Sequence, residues 1–375
     1  MKIILVGSAF PFRGGLASFN ERLIRELKSR GHDASIVTFT VQYPNFLFPG
    51  KTQFSSSPAP TDISIERKVN SVYPLNWISV GNEIRKQKPD LVIFKYWLPF
   101  MGPCFGTIAR RVKKNKHTKI LTILDNVIPH EKRFGDKPFT KYFLKSSDLF
   151  VAMSKSVMDD LRIFEKEKPC ELNPHPVFDN FGKAISKTEA KKLLGLDENT
   201  NYLLFFGFIR DYKGLDWMLE AFADERLKNL PVKLLVAGEF YKDRTMYDEL
   251  VSKLNLQDRV VLKTDFIADE EVYKYFSAAD LVVQPYKHAT QSGVTQIAYN
   301  FNKPMLVTNV GGLGELVPDG KVGYVVEPNP NAIANALVDF YQNKKENLFL
   351  ANMEEEKKRF SWGAMAEKIE GLVKE

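Results

Sequence analysis

The chain of 375 residues is 44% apolar and 26% charged, an ordinary globular mixture that excludes wholesale disorder and collagen-like or coiled-coil architecture. Lys and Arg number 53 against 46 Asp and Glu, and the resulting net charge of +7 suits anionic ligands or an anionic membrane surface without choosing between them. The two cysteines, Cys104 and Cys170, form no CxxC pair, which excludes a disulfide framework or a cysteine zinc site and favours a reducing compartment.

Residues 3–6 form a short apolar run of the buried-strand kind, too brief for a secretory signal. A loop with Gly14-Gly15 follows, then a helix with Leu16, Phe19, Leu23 and Leu27 on one face, stopped at Gly31. Further strands are predicted at 35–39, 91–94, 119–124 and 149–152, with helices around 77–87 and 139–147. Residues 40–62 break the rhythm with Pro44, Pro49, Pro58, Pro60 and the Ser55-Ser56-Ser57 run, and read as a long mobile loop. The apolar stretch 91–109 is interrupted by Lys95, Pro99, Gly102 and Pro103, so it does not read as a membrane span. Residues 172–187, with Pro174, Pro176 and Gly182, are the natural linker.

A second series begins near residue 186. Strands are predicted at 202–206, 232–237, 260–262, 281–283, 305–308 and 324–326. The helix after Gly214 carries Leu215, Met218, Leu219 and Phe222 at i, i+3, i+4 and i+7, a spacing repeated by Tyr247, Leu250, Val251 and Leu254. Asn329-Pro330 is a cap followed by proline at the first helical position. Strands alternating with helices predict an α/β fold of two Rossmann-like domains, with parallel sheets facing a central cleft. The expected boundaries are 1–180 and 186–355, followed by a C-terminal helix over 356–375.

Ligands of such sheets bind at the carboxyl ends of strands, where loops enter helix N-termini. Four loops stand out. In residues 7–15, Gly14 and Gly15 would let backbone N–H groups approach an anion, or simply make a turn; GxGxxG is absent, which argues against a dinucleotide enzyme. In residues 207–214, Arg210 and Lys213 could neutralise a diphosphate, the arginine as a fork and the lysine as a point charge. In residues 284–295, the N–H groups of Ser292, Gly293, Val294 and Thr295 would form a second anion cradle, while His288 reads as a surface histidine. In residues 125–133, His130 and Glu131 could bind sugar hydroxyls or handle a proton, or belong to a structural turn. The chain has no Asp-x-Asp clamp, no GxxxxGK[ST] loop, no G-x-S-x-G elbow and no H-x-x-x-H pattern. A diphosphate would therefore have to be neutralised by protein cations and a helix terminus.

Gly14-Gly15 with Arg30-Gly31-His32, the loop Gly207…Arg210…Lys213-Gly214, and Lys303-Pro304…Thr308-Asn309-Val310-Gly311-Gly312…Glu315 together resemble the retaining glycosyltransferases of family 4, of the GT-B fold. The resemblance spans nearly the whole chain and is most specific over 202–328. It implies transfer of a sugar from a nucleotide diphosphate sugar to an acceptor hydroxyl with retention. The C-terminal domain would hold the donor, the N-terminal domain the acceptor, and the helix around Phe360-Ser361-Trp362 would cross back to the N-terminal domain. By the same resemblance Arg210 and Lys213 grip the diphosphate. Donor contacts fall on Gly207, Gly238, Glu239, Ile267, Ser292, Gly293, Val294 and Thr295, and acceptor contacts on Gly14, Gly15, Lys95, Asp125, His130 and Glu131. No cofactor and no metal is expected. The partners implied are a UDP- or GDP-linked donor and a glycan or lipid-linked acceptor, with no nucleic acid. The location implied is the cytoplasm, with peripheral contact at an anionic membrane among the partners the charge allows.

Three departures from the family pattern are visible. Its arginine directly follows the glycine, where this chain has Phe208 and places Arg210 two further on. Its two glutamates, eight apart, fall on Ala289 and Ile297, with Gln291, Ser292 and Gln296 as the nearby polar residues. Its histidine near Asp125 is missing, Leu124-Asp125-Asn126 standing there. A catalytically degenerate GT-B subunit that binds a partner or glycan without turnover is therefore the alternative, and another GT-B enzyme such as a nucleotide-sugar epimerase is a third reading.

Overall fold

A computed structural model describes residues 1–44, 53–55, 58–129, 134–241, 243–289 and 292–374. The chain divides into two compact units, Met1–His175 with Trp362–Glu375, and Pro176–Ser361.

The first unit alternates β1 (Lys2–Val6), α1 (Gly15–Ser29), β2 (Asp33–Val41), β3 (Ser64–Asn70), α2 (Pro74–Gln87), β4 (Leu91–Tyr96), α3 (Gly102–Val112), β5 (Lys119–Leu124), α4 (Asp136–Leu144), β6 (Leu149–Ala152), α5 (Lys155–Phe164) and β7 (Cys170–Leu172). Its sheet runs β3-β2-β1-β4-β5-β6-β7, every neighbouring pair parallel. Because helices cover both faces, the inner strands are buried throughout and read as unbroken apolar runs rather than alternating ones. Two apolar layers result, one including Phe94, Phe105 and Phe143, the other including Leu5, Phe19 and Ile93.

The second unit comprises α6 (Lys187–Leu194), β8 (Asn201–Phe206), α7 (Leu215–Phe222), α8 (Glu225–Lys228), β9 (Val232–Ala237), α9 (Thr245–Lys253), β10 (Val260–Lys263), α10 (Val272–Ala278), β11 (Leu281–Gln284), α11 (Gly293–Asn300), β12 (Met305–Thr308), α12 (Leu313–Leu316), β13 (Gly323–Val326), α13 (Pro330–Gln342) and α14 (Glu346–Lys357). Its parallel sheet runs β10-β9-β8-β11-β12-β13. The order reverses between β8 and β11, the topological switch point at which ligands of such sheets bind. Asn329 caps α13 by accepting from the Ala332 N–H, with Pro330 in the first turn.

Helix α15 (Trp362–Lys374) belongs to the first unit. Its Trp362, Met365, Ala366, Ile369 and Leu372 join the layer of Ile3, Leu5, Phe19 and Leu23, and Glu370 receives a bidentate contact from Arg30 at 2.8 and 2.9 Å. The divisions fall after His175 and after Ser361, where the sequence suggested divisions after 180 and after 355. Beyond α14, the Phe360 carbonyl accepts from the Val177 N–H at 2.9 Å, within the second unit.

Two strands escape the sequence reading. In β3 (SIERKVN) only Val69 is buried, because an edge strand needs few apolar residues, and β7 is three residues long. Strand β2 reaches Val41, into the stretch read as loop, and of the expected loop 40–62 residues 45–52, 56 and 57 lie outside the described residues.

Candidate active site

In the second unit the switch point is built by close backbone approaches. Gly207 (φ 94°) follows β8, and Gly238 (φ 138°) follows β9. A Cβ at Gly238 would stand 2.4 Å from the Gly207 carbonyl oxygen, so only glycine allows the two loops to touch. The contact continues as the Ile209 N–H donates to the Glu239 carbonyl and the Tyr241 N–H to the Ile209 carbonyl. Gly214 (φ 70°) lies against the Pro285 carbonyl beyond β11, and the Lys287 N–H donates to the Tyr212 carbonyl at 2.7 Å. The Lys287 ammonium then pairs with Asp211 and Asp216, each at 2.8 Å.

This bracing seats Lys213 in the interior although it lies in a loop, only 9% exposed. Burial, with repulsion from Arg210, pushes its ammonium down to about 8 from 10.5, and no carboxylate among the described residues offsets this. A Cβ at Gly207 would stand 3.0 Å from Lys213 Nζ and 4.0 Å from a Val294 methyl. The bare backbone of Gly207 thus lies close to the buried ammonium of Lys213 and near Val294 in the first turn of α11. In that turn Ser292 is the N-cap in extended conformation, and its side chain makes no capping hydrogen bond. Its N-terminal N–H groups have no acceptors within the helix. Arg210 is exposed, its guanidinium lying over the Tyr241 ring at 4.1 Å.

The surroundings carry further polar groups. The Tyr286 hydroxyl, buried and pushed well above its ordinary pKa, is 3.2 Å from Ser292 Oγ. Thr295 Oγ1 donates to Gln284 Oε1 at 3.0 Å, leaving Gln284 Nε2 without a partner. Gln296, 1% exposed, has neither amide atom paired. Buried amides of this kind are satisfied by ordered water or a ligand. Ala289 and Ile297 instead pack into the apolar core.

In the first unit, Gly14 (φ 102°) is the N-cap of α1 and Gly15 its first residue, both exposed, with open space around the Gly14 Cβ position. Lys95, at the end of β4, is 1% exposed. Its ammonium lies 2.8 Å from Asp125 Oδ1, 3.0 Å from Met153 Sδ and 3.4 Å from the Phe19 ring centroid. Burial lowers the lysine pKa, and Asp125 opposes that effect. Two residues named separately from the sequence are thus one ion pair. Among the described residues no cluster of three His, Cys, Asp or Glu side chains could hold a metal ion, and no helix is long and apolar enough to cross a membrane.

Comparison with known proteins fits this geometry. Residues 13–177 match the model described as Glycosyltransferase Family 4, and residues 200–343 the model described as Glycosyl transferases group 1. The chain belongs to the family 4, group 1 glycosyltransferases, of the GT-B fold. It is 24% identical over 370 residues to an uncharacterized glycosyltransferase of Methanocaldococcus jannaschii, covering 96% of this chain and 95% of that one. It is also 24% identical to the N-acetyl-alpha-D-glucosaminyl L-malate synthase of Bacillus anthracis, over 87% of this chain and 84% of the relative. The fold matches that of Anabaena HepE, solved in complex with UDP, with a TM-score of 0.75, 16% identity and complete coverage of both chains.

As a family 4 glycosyltransferase the chain brings most of the expected donor-side residues together beyond the carboxyl ends of β8, β9 and β11. Gly207, Gly238, Arg210, Lys213 and Val294 are linked by the contacts above, and Glu239 through its carbonyl. Ile267, after β10, is partly buried against the same core as Val294 and Ile297. His130, Glu131 and Gln291 lie outside the described residues. Sequence reasoning missed Tyr241, Tyr286 and the Lys287 clamp. Aromatic residues in loops gave no periodic signal, and the pairing of Lys287 with Asp211 and Asp216 exists only once two distant loops meet.

Proposed function

We propose that this chain transfers a sugar from a UDP- or GDP-linked donor to an acceptor hydroxyl with retention at the anomeric carbon, in glycan or surface-polysaccharide assembly. The observation that carries the reading is the buried Lys213 ammonium, without a carboxylate partner among the described residues, beside the bare backbone of Gly207. Burying a cation without a counter-charge is unfavourable, and an incoming diphosphate supplies the missing charge. Arg210 adds a planar fork, oriented by Tyr241, and the first turn of α11 adds N–H donors. Negative charge grows on the diphosphate as the glycosidic bond breaks, so these groups stabilise the transition state more than the ground state. The cations come from the protein, and the reaction is proposed to need no metal. The departing phosphate oxygen can take the acceptor's proton, so no dedicated carboxylate base is required. Relatives named as glycosyltransferases and the UDP complex of HepE support a nucleotide-sugar donor. Gly14, Gly15, Lys95 and Asp125, at or beyond the carboxyl ends of β1, β4 and β5 in the first unit, are proposed to serve the acceptor.

The second reading is a binding subunit without turnover. Its support is that the two glutamate positions, Ala289 and Ile297, are apolar and packed. Incubation with a panel of nucleotide sugars and acceptors decides between them. Turnover predicts release of nucleoside diphosphate that Lys213→Ala reduces at least about tenfold. Thermal stabilisation by nucleotide with no release under any condition favours the binding subunit.

A further inference from the structure

We infer that Tyr286 is a positioning residue: it keeps the first turn of α11 uncapped, so that the N–H groups there stay free for the oxyanions of a diphosphate. The role rests on the donor site proposed above. Where a serine, aspartate or asparagine opens a helix, its side-chain oxygen normally accepts from an N–H two or three residues further on. Helices α5, α6, α8 and α13 of this chain are closed in that way. Ser154 accepts from Val157, Ser186 from Glu189, Asp224 from Arg226 and Asn329 from Ala332. Ser292 has a backbone suited to the same bond, with φ −137° and ψ 123°, yet its side chain caps nothing. Its Oγ lies instead 3.2 Å from the buried hydroxyl of Tyr286.

The segment from Gln284 to Tyr286 holds this arrangement. Burial pushes the Tyr286 hydroxyl above its ordinary range, so it keeps its proton and remains a hydrogen-bonding partner for Ser292. The Tyr286 carbonyl accepts from Thr308 Oγ1 at 2.5 Å, which ties the residue down at its backbone as well. Thr295, the other hydroxyl of the turn, is drawn off similarly and donates to Gln284 Oε1 at 3.0 Å. The N–H groups of Gly293, Val294 and Thr295 consequently meet no acceptor among the described residues. The buried Lys213 ammonium stands near the same turn: a Cβ at Gly207 would lie 3.0 Å from its Nζ and 4.0 Å from a Val294 methyl. Free N–H groups and a cation without a carboxylate partner among the described residues therefore border one small region, and together they suit a diphosphate. A serine that capped its own helix would compete with that ligand for the same donors.

The experiment compares the full chain with Tyr286→Phe and with the double variant Tyr286→Phe, Ser292→Ala, using UDP and GDP as probes. Tyr286→Phe removes one hydroxyl and releases Ser292 Oγ to cap α11. It should weaken diphosphate binding about fivefold in calorimetric titration. The double variant keeps the backbone N–H at 292 but has no oxygen to cap with, and should recover that loss. In nucleotide-free protein, hydrogen exchange at the Val294 and Thr295 amides should slow about fivefold in Tyr286→Phe and return to the parent rate in the double variant. Unchanged affinity or unchanged exchange in Tyr286→Phe overturns the inference. A double variant as weak as Tyr286→Phe also overturns it, and assigns the tyrosine hydroxyl to direct contact with the ligand. A parent chain that binds neither diphosphate, while exchange responds as expected, overturns the donor site rather than the uncapping by Tyr286.

Discussion

The backbone of Gly214 touches the Pro285 carbonyl so closely that a Cβ there would stand 1.9 Å from the oxygen. That contact, with the Lys287 clamp, fixes the loop after β8 against the loop after β11. Gly214→Ala meets both a clash and a left-handed backbone, and should cost at least about 2 kcal/mol of stability. Nucleotide binding should weaken with it. Gly371→Ala is the control: it lies in α15 with nothing within 4 Å of its Cβ position, and should stabilise by about 0.5–1 kcal/mol. Calorimetric melting of the two variants measures the contrast.

Lys213 should oppose stability and serve binding. Its pKa is about 8 in the folded chain and 10.5 without perturbation, so between these values the unfolded chain holds the extra proton. Stability then rises with pH through that window, and the full penalty of the buried ammonium, up to about 3 kcal/mol, applies below pH 8. Lys213→Met should therefore raise the unliganded melting temperature at pH 7 while weakening nucleoside diphosphate binding at least about tenfold. In the parent, affinity should decline as pH rises above about 8, where the free site loses its proton. Calorimetric titration over that range reads both. A destabilised Lys213→Met with normal affinity would contradict the account.

Arg210 depends on its stacking partner. Arg210→Ala should lower kcat/KM by an order of magnitude or more, and Arg210→Lys should restore only part of it, because a point charge lacks the planar fork. Tyr241→Leu removes the surface beneath the guanidinium without removing the charge, and should give a smaller loss of about two- to fivefold. Steady-state kinetics on the three variants rank the effects. An ordering with Tyr241→Leu the most damaging would place the tyrosine itself against the donor.

With the site's positive charge supplied by Arg210 and Lys213, as proposed, transfer should be indifferent to chelation. Activity before and after EDTA treatment, with Mg²⁺ and Mn²⁺ added back, should agree within error. Loss on chelation, restored by either ion, would remove Arg210 and Lys213 from their proposed role.

The Lys95–Asp125 pair should respond asymmetrically. Asp125→Asn leaves a fully buried ammonium without its counter-charge and should cost about 3 kcal/mol or more. Lys95→Met fills a similar volume and leaves Asp125, whose side chain is 20% exposed, to water, so it should cost less. Chemical denaturation of both variants tests the order. If the pair also serves the acceptor, Lys95→Met should raise the acceptor KM while donor affinity holds.

Much of this architecture was legible in the sequence because it is written in local patterns. The run Tyr202-Leu203-Leu204-Phe205-Phe206 reads as a buried strand whatever its surroundings, and Gly207 to Gly214 reads as the loop that follows. The burial of Lys213 was not legible, since a lysine in a polar loop looks solvated until Gly214 and Pro285 bring a second loop over it. The pairing of Lys95 with Asp125 was equally hidden, because only the parallel alignment of β4 with β5 sets those two strand ends side by side. Strand β3 failed for the opposite reason, its charged residues suiting an edge that periodicity does not announce.

The return of α15 to the first unit bears on the order in which the chain can acquire structure. The layer of Ile3, Leu5 and Phe19 lacks one wall until Trp362, Met365 and Ile369 have been synthesised, while everything the second unit needs lies between Pro176 and Ser361. Vectorial folding on the ribosome therefore cannot proceed strictly from the amino end. The part of the chain made first completes its core last, and until then it presents an apolar face that chaperones can hold.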